Sequence, residues 1–175
     1  MSTHLIIDGY NLIRRSPSLS VLDKQELQKG REELLRRLAT YKQARRFPIT
    51  VVFDGWNQPD LWGSRTFQQG IRVVFSRTGQ KADDVIIQMA REMREKATVV
   101  TSDREVQTAA ERHHATVVSS EDFEQRMEIA RHMSQKGIEA ADTGERERSL
   151  GTRKKGPAKR LPKSVRKAQR RIKRL

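Results

Sequence analysis

The chain has 175 residues, is 35% hydrophobic and 5% aromatic, contains no cysteine and carries a formal net charge of +14. That length suits one ordinary domain with an extension. The lack of cysteine excludes a disulfide framework and a zinc–thiolate centre and fits a reducing cytoplasm. The N-terminus does not read as a secretory signal, and no apolar run approaches the roughly 20 residues of a bilayer span, so a cytoplasmic protein is expected.

The first element is a strand over Thr3–Asp8, where the apolar run Leu5, Ile6, Ile7 stops on a carboxylate and turns through Gly9, Tyr10 and Asn11. A long helix is expected from about Asp23 to Arg46, with Leu27, Leu34, Leu35, Leu38 and Tyr41 as its apolar stripe and Asp23 and Glu26 at capping-box spacing. Ile49–Asp54 is the second strand. Residues Gly55 to Gly70 read as a long loop bearing Trp56, Trp62 and Phe67, a length that is often functional. Ile71–Phe75 is the third strand, followed by a helix over about Ala82–Lys96. Ala97–Ser102 is the fourth strand, Asp103–His113 a helix, Ala115–Val118 the fifth strand, and a last helix follows Ser119–Ser120. All five strands are continuous apolar runs, as in a parallel sheet buried on both faces. The alternation with helices predicts a three-layer α/β/α domain with right-handed crossovers.

Beyond about Gly137 the pattern weakens. Residues 1–136 are expected to form the domain, 137–160 a polar linker and 161–175 a basic amphipathic helix, in which Leu161, Val165, Ala168, Ile172 and Leu175 recur at 4-3-4-3 spacing. The charge is divided in the same way. Residues 144–175 hold 14 Lys and Arg against 2 Asp and Glu, whereas residues 1–143 are almost balanced at 22 against 20. A cationic stretch of that density attracts phosphate backbones; a solubilising tail is the plainer alternative.

Ligands of open parallel sheets bind beyond the carboxyl ends of the strands. Asp8 and Asp54 close the first two strands, Asp83 and Asp84 open the helix after the third, and Ser102 and Asp103 follow the fourth. Asn11 adds an amide near Asp8. Each has an ordinary explanation. Asp8-Gly9 is a turn pair, Asp83 and Asp84 suit a helix N-terminus, and Ser102 and Glu105 have capping-box spacing. Together, however, such acids repel one another unless a cation is present, and hard oxygen donors suit Mg2+ or Mn2+. His4, His113, His114 and His132 show no metal-ligand spacing, and neither a Walker A motif nor a dinucleotide-binding glycine pattern occurs.

Four segments, "LIIDGYNLI", "TVVFDGW", "VVFSRTGQKADDVI" and "VVTSDREV", in this order and at this spacing, resemble the YacP-like branch of the NYN domain family, over roughly Thr3 to Glu128. The resemblance implies a PIN-like nuclease fold with a mostly parallel sheet of order 3-2-1-4-5, and a metal-dependent endoribonuclease. It also implies an mRNA endonuclease acting on the ribosome as one member type. On this likeness Asp8, Asp83 and Asp103 are the catalytic and metal-binding acids, Asp84 fills a second acidic slot of the metal site, and Asn11, Asp54 and Ser102 support them. The expected reaction is attack of a metal-activated water on the scissile phosphate, leaving a 5′-phosphate and a 3′-hydroxyl. Arg14, Arg15, Arg77, Lys81 and Arg104 are candidates to hold the RNA backbone, and Trp56 and Trp62 to stack on unpaired bases. Solvated surface charge and packing against the sheet are the plain alternatives for these residues. The expected partners are RNA and, by the resemblance, the ribosome. The alternative function is a non-catalytic RNA- or ribosome-binding module with the same fold. Membrane attachment of the basic helix ranks below both, because its apolar face is narrow.

Overall fold

A computed structural model describes residues 3–56, 61, 63–143 and 172. The elements in chain order are β1 (His4–Asp8), α1 (Gly9–Arg15), α2 (Pro17–Gln25), α3 (Leu27–Arg45), β2 (Ile49–Phe53), β3 (Arg65–Gln68), β4 (Ile71–Phe75), α4 (Ala82–Met93), β5 (Ala97–Val100), α5 (Arg104–Arg112), β6 (Thr116–Val118) and α6 (Ser120–Thr143). They build one six-stranded sheet in the order β3-β4-β2-β1-β5-β6. All neighbours run parallel except β3, which pairs antiparallel with β4 on the outer edge.

The five expected strands are β1, β2, β4, β5 and β6, and their order is the expected one. The difference is the added edge strand. Residues expected to be loop between Gly55 and Gly70 contain β3, which is exposed along its length and so lacks the apolar run that marks a buried strand. Its register is set by a two-residue turn, Gln69 and Gly70, with φ of 51° and 76°. Two successive positive φ values are the signature of the hairpin turn whose twist matches paired strands.

Alternation along each central strand supplies both cores. Leu5 and Ile7, Val51 and Phe53, and Val73 and Phe75 point to one face. Ile6, Val52 and Val74 point to the other. The first face is covered by α1, α2, α3 and α6 through Leu12, Leu19, Leu34, Leu38, Tyr41 and Phe123. The second is covered by α4 and α5 through Ile86, Ala90, Val106 and Ala110. This is the expected three-layer arrangement.

The expected helix from Asp23 to Arg46 is two helices. The chain is extended at Glu26, with φ −160° and ψ 121°, and α2 begins earlier, at Pro17 behind a Ser16 cap whose Oγ accepts from the Leu19 N–H at 3.3 Å. Asp23 therefore lies inside α2 instead of starting a helix. The last helix continues to Thr143, past Gly137 where the apolar pattern weakens. Most of the expected basic helix lies outside the described residues. Ile172 of its stripe has helical backbone, packs partly buried against the larger core, and its carbonyl accepts from Arg126 Nη1 at 2.6 Å.

Gly9 shows how tightly β1 meets α1. A Cβ there would lie 2.3 Å from the Phe53 ring, and Phe53 is itself fully buried between Tyr10 and Phe75. Gly9→Ala is expected to destabilise the protein by roughly 2 kcal/mol through overpacking, measurable by urea denaturation. An unchanged midpoint would mean that the Phe53 ring has room to move.

Candidate functional site

Asp8 ends β1 and caps α1 at once. One carboxylate oxygen accepts from the Asn11 N–H at 3.2 Å and the other from Thr101 Oγ1 at 3.1 Å. The side chain is only 6% exposed. Burial pushes its pKa up to about 6, the two hydrogen bonds pull the other way, and the carboxylates of Asp83 and Asp103 push further up. Asp83, in the first turn of α4, is also raised, first by burial, then by Asp103, with Lys81 opposing and Asp84 and Asp54 adding to the rise. Asp103 caps α5, its Oδ1 accepting from the Glu105 and Val106 N–H groups at 2.8 and 3.2 Å. Its other oxygen has no hydrogen bond among the described residues. Asp54, just past β2, accepts from Ser76 Oγ at 3.1 Å.

Asn11 ties these segments together. Its Oδ1 accepts from the Ser102 N–H at 2.9 Å and from Ser120 Oγ at 2.8 Å. Ser102 Oγ in turn accepts from the Ser120 N–H at 3.0 Å and donates to Glu121. Thr101 does the same nearer the acids. It donates to Asp8, accepts from the Asp103 N–H at 3.1 Å, and its carbonyl accepts from Gln107 Nε2 at 2.8 Å. The loop after β5 is thus fastened to α1 and α6 by side chains, which fixes where Asp103 sits relative to Asp8.

The result is one open cleft of about 430 Å3 walled by Asp8, Asp54, Asp83 and Asp103, with Asn11 behind them. Arg14, Arg15 and Trp56 stand on the same wall, and Trp56 is 70% exposed. Arg15 also lies 3.6 Å from Glu121. The other expected residues are placed elsewhere. Asp84 is exposed and its Oδ2 accepts from the Lys81 N–H at 3.1 Å, capping α4. Ser102 is a strut, not a wall residue. Lys81 and Arg104, at the starts of α4 and α5, are exposed and off the cleft wall, and Arg77 runs along Gly63 beside a different depression. Trp62 lies outside the described residues. Closeness in sequence to an acidic motif does not bring these long cations onto the cleft.

Sequence reasoning did not single out Tyr10 or Thr101. The Tyr10 ring lines the cleft, meets Phe53 edge-on at 5.1 Å and has the Arg14 guanidinium 5.8 Å from its centre. Both residues stand inside segments quoted above, beside Asp8 and Ser102, so position next to a strand-end acid is the signal that could have found them. His4 Nε2 lies 2.8 Å from Thr50 Oγ1, and burial, aided by Arg72, holds its pKa below the usual range.

The donor set suits a hard divalent ion, being made of carboxylate oxygens with no cysteine. Among the described residues no group of three or more His, Cys, Asp or Glu lies close enough together to hold a metal ion by itself. The arrangement therefore fits an ion that keeps much of its water and is held by one or two carboxylates together with a ligand's phosphate oxygens, the usual habit of Mg2+. Among the described residues no helix is long and apolar enough to cross a membrane.

Comparison with known proteins agrees with this architecture. The family model described as YacP-like NYN domain matches residues 5–174. The chain is similar to a Bacillus subtilis (strain 168) protein described as "Uncharacterized protein YacP", with 30% identity over 102 residues, 57% of this chain and 59% of the relative. The match thus spans about three fifths of that relative's length. Among solved structures the chain is similar to the crystal structure of Rae1 (YacP) from Bacillus subtilis, with TM-score 0.67, 23% identity, and coverage of 82% of this chain and 83% of that one. A single-substitution mutant of the same protein gives TM-score 0.70 at 22% identity, with coverage of 81% and 84%. At these identities the structural likeness speaks for the fold alone.

Proposed function

Because this chain belongs to the YacP-like NYN domain family, whose function is nuclease-like and related to RNA, we propose that it is a cytoplasmic, metal-dependent endoribonuclease. The single observation that carries this reading is the meeting of Asp8, Asp83 and Asp103, from three separate segments, on one open cleft. Asp8 and Asp83, with Asp103, would hold Mg2+ or Mn2+; Asp54 would assist through water. Such an ion, when bound, supplies charge neutralisation on the phosphodiester and a more acidic water.

The chain's own residues do the rest. Asp8 and Asp103 are oriented by Thr101 and by the helix starts they cap, so neither has to reorganise when RNA arrives. Arg14 and Arg15 add positive charge on the same wall for the phosphate backbone. Trp56 offers an exposed ring on which an unpaired base can stack. The positive charge of residues 144–175 would add salt-sensitive affinity for RNA, and it supports mRNA on the ribosome as the proposed setting.

The test uses labelled single-stranded RNA, the full chain, and Mn2+, Mg2+ or EDTA. Cleavage with 5′-phosphate products in metal, none in EDTA and none with Asp103→Asn is the expected result. Binding without cleavage in either metal, on free RNA and on ribosomes alike, would leave the non-catalytic module. A second expectation concerns Trp56→Ala. Loss of one stacking platform is worth roughly 1–3 kcal/mol, so RNA affinity should fall about 5- to 150-fold while the melting temperature stays put, since the ring is exposed. An unaltered Kd by fluorescence anisotropy would take Trp56 out of the binding surface.

A further inference from the structure

A second cavity, of about 220 Å3, is joined to the cleft through Arg31, which lines it and meets Tyr10 of the cleft, and it has room for far more than one water. Phe53 and Phe75 contribute an apolar side, and one turn of α3 brings Gln28, Arg31 and Glu32 to the same space. Arg31 is only 7% exposed. A guanidinium has five N–H donors; that of Arg31 spends one on Tyr10 Oη at 2.9 Å and sits 5.7 Å from the centre of the Phe75 ring. Among the described residues it forms no ion pair. Glu32 accepts from Gln28 Nε2 at 2.7 Å and likewise meets no cation among the described residues.

A buried cation and an exposed neighbouring carboxylate therefore line one cavity, and neither neutralises the other. The Arg31 nitrogens are not among the buried side-chain atoms that lack a partner, so the donors not spent on Tyr10 open onto the cavity, where a ligand can answer them. A bare phosphate would satisfy Arg31 but would meet the charge of Glu32. A planar heterocycle fits better, since its edges can carry acceptors for the guanidinium and donors for the carboxylate on one ring system. Among the RNA bases, guanine alone offers two acceptors, O6 and N7, to a guanidinium and two donors, N1–H and N2–H, to a carboxylate.

We infer that this cavity is a guanine subsite, in which Arg31 donates to O6 and N7 and Glu32 accepts from N1–H and N2–H of a base splayed out of single-stranded RNA. The inference rests on the reading of the cleft as an RNA-cleaving site, because Tyr10 and Leu27 line the cleft while Arg31 and Gln28, their partner and chain neighbour, line the cavity. A nucleotide whose phosphate lies among the acids can turn its base past the Tyr10 ring. Arg31 then has two tasks, holding Tyr10 and reading the base, so Glu32 is the cleaner residue to alter.

The experiment measures binding of GMP, AMP and UMP to the full chain in EDTA, by chemical-shift titration, for wild type and Glu32→Gln. Wild type should prefer GMP over AMP by about tenfold or more, and the variant, whose amide cannot accept both donors, should lose that preference at an unchanged melting temperature. Equal affinities in the wild type, or a preference that survives in Glu32→Gln, overturns the subsite. Cleavage mapping on randomised single-stranded RNA separates this from the nuclease reading. Cuts beside guanine support both. Cuts with no base bias overturn the subsite and leave the nuclease, while GMP preference without cleavage of any RNA overturns the nuclease and leaves the subsite.

Discussion

Asp8→Asn should lower RNA cleavage on the order of 10³-fold and at the same time make the ion-free protein more stable. The two effects have one cause. Asp8 is buried within the field of Asp83 and Asp103, and its carboxyl is pushed up to about 6 from an ordinary value of 3.8. The folded protein thus holds this proton more tightly than the unfolded chain does. Below about pH 4 both states are protonated and nothing is lost. As the pH rises from about 4 to 6 the unfolded chain releases its proton first, and folding stability falls by roughly 3 kcal/mol at most, then stays level. Asparagine has no such proton. It can still accept from the Asn11 N–H, although its amide must find an acceptor at Thr101 Oγ1, which returns part of the gain. Urea denaturation in EDTA across pH 4–7 checks this. The wild-type-minus-variant difference should grow with pH over the window and be flat above it. A constant difference throughout would mean that Asp8 is no more costly to ionise in the fold than in water. Adding Mn2+ should reverse the order, stabilising wild type more than the variant, which keeps Asp83 and Asp103 but has lost one of the charges that would hold the ion.

The parallel sheet was legible because its strands are buried on both faces. Runs such as Leu5–Ile7 and Val51–Phe53 need no partner to be recognised, and their polar ends place acids on a single edge. β3 was not legible, since Arg65, Thr66, Phe67 and Gln68 are all exposed and what holds them is backbone pairing with β4 across a tight turn, which leaves no apolar run in the sequence. The break at Glu26 carries no glycine or proline, so the apolar stripe reads straight through it into what is a separate helix. Within the site, the acids could be read from strand ends, whereas what orients them could not. Thr101 reaches Asp8 across 93 residues and Ser120 reaches Asn11 across 109, and no local pattern encodes such pairings. Arg31 is the extreme case. One of four arginines on a helix rich in charge looks solvated, and only the folded packing of α3 over Phe75 shows it buried.

Asn11→Ala tests that hidden half of the site. The alanine removes the acceptor shared by the Ser102 N–H and Ser120 Oγ while keeping α1 and all the carboxylates. Ser120 is fully buried, so its hydroxyl must find another acceptor or go without, and the Ser102 N–H is orphaned with it. Two orphaned donors at about 1–3 kcal/mol each predict a loss near 3 kcal/mol in urea denaturation, large for a single polar side chain. The effect on chemistry should exceed what stability alone explains. Once Ser102 is released, the loop bearing Asp103 is held to α1 only through Thr101, and a carboxylate displaced by about 1 Å can cost on the order of 10²-fold in rate. Well below the melting temperature kcat should therefore drop while KM for RNA stays close to wild type, because Arg14, Arg15 and Trp56 are untouched. Asn11→Asp separates support from mere bulk. Its oxygens still accept from Ser102 and Ser120, so stability should largely return, but its charge faces Asp8 and the pH optimum should move upward. If Asn11→Ala unfolds no more easily and cuts RNA as fast as wild type, Asp103 is positioned by the α5 cap alone, and the bridge from α1 to α6 has no part in assembling the cleft.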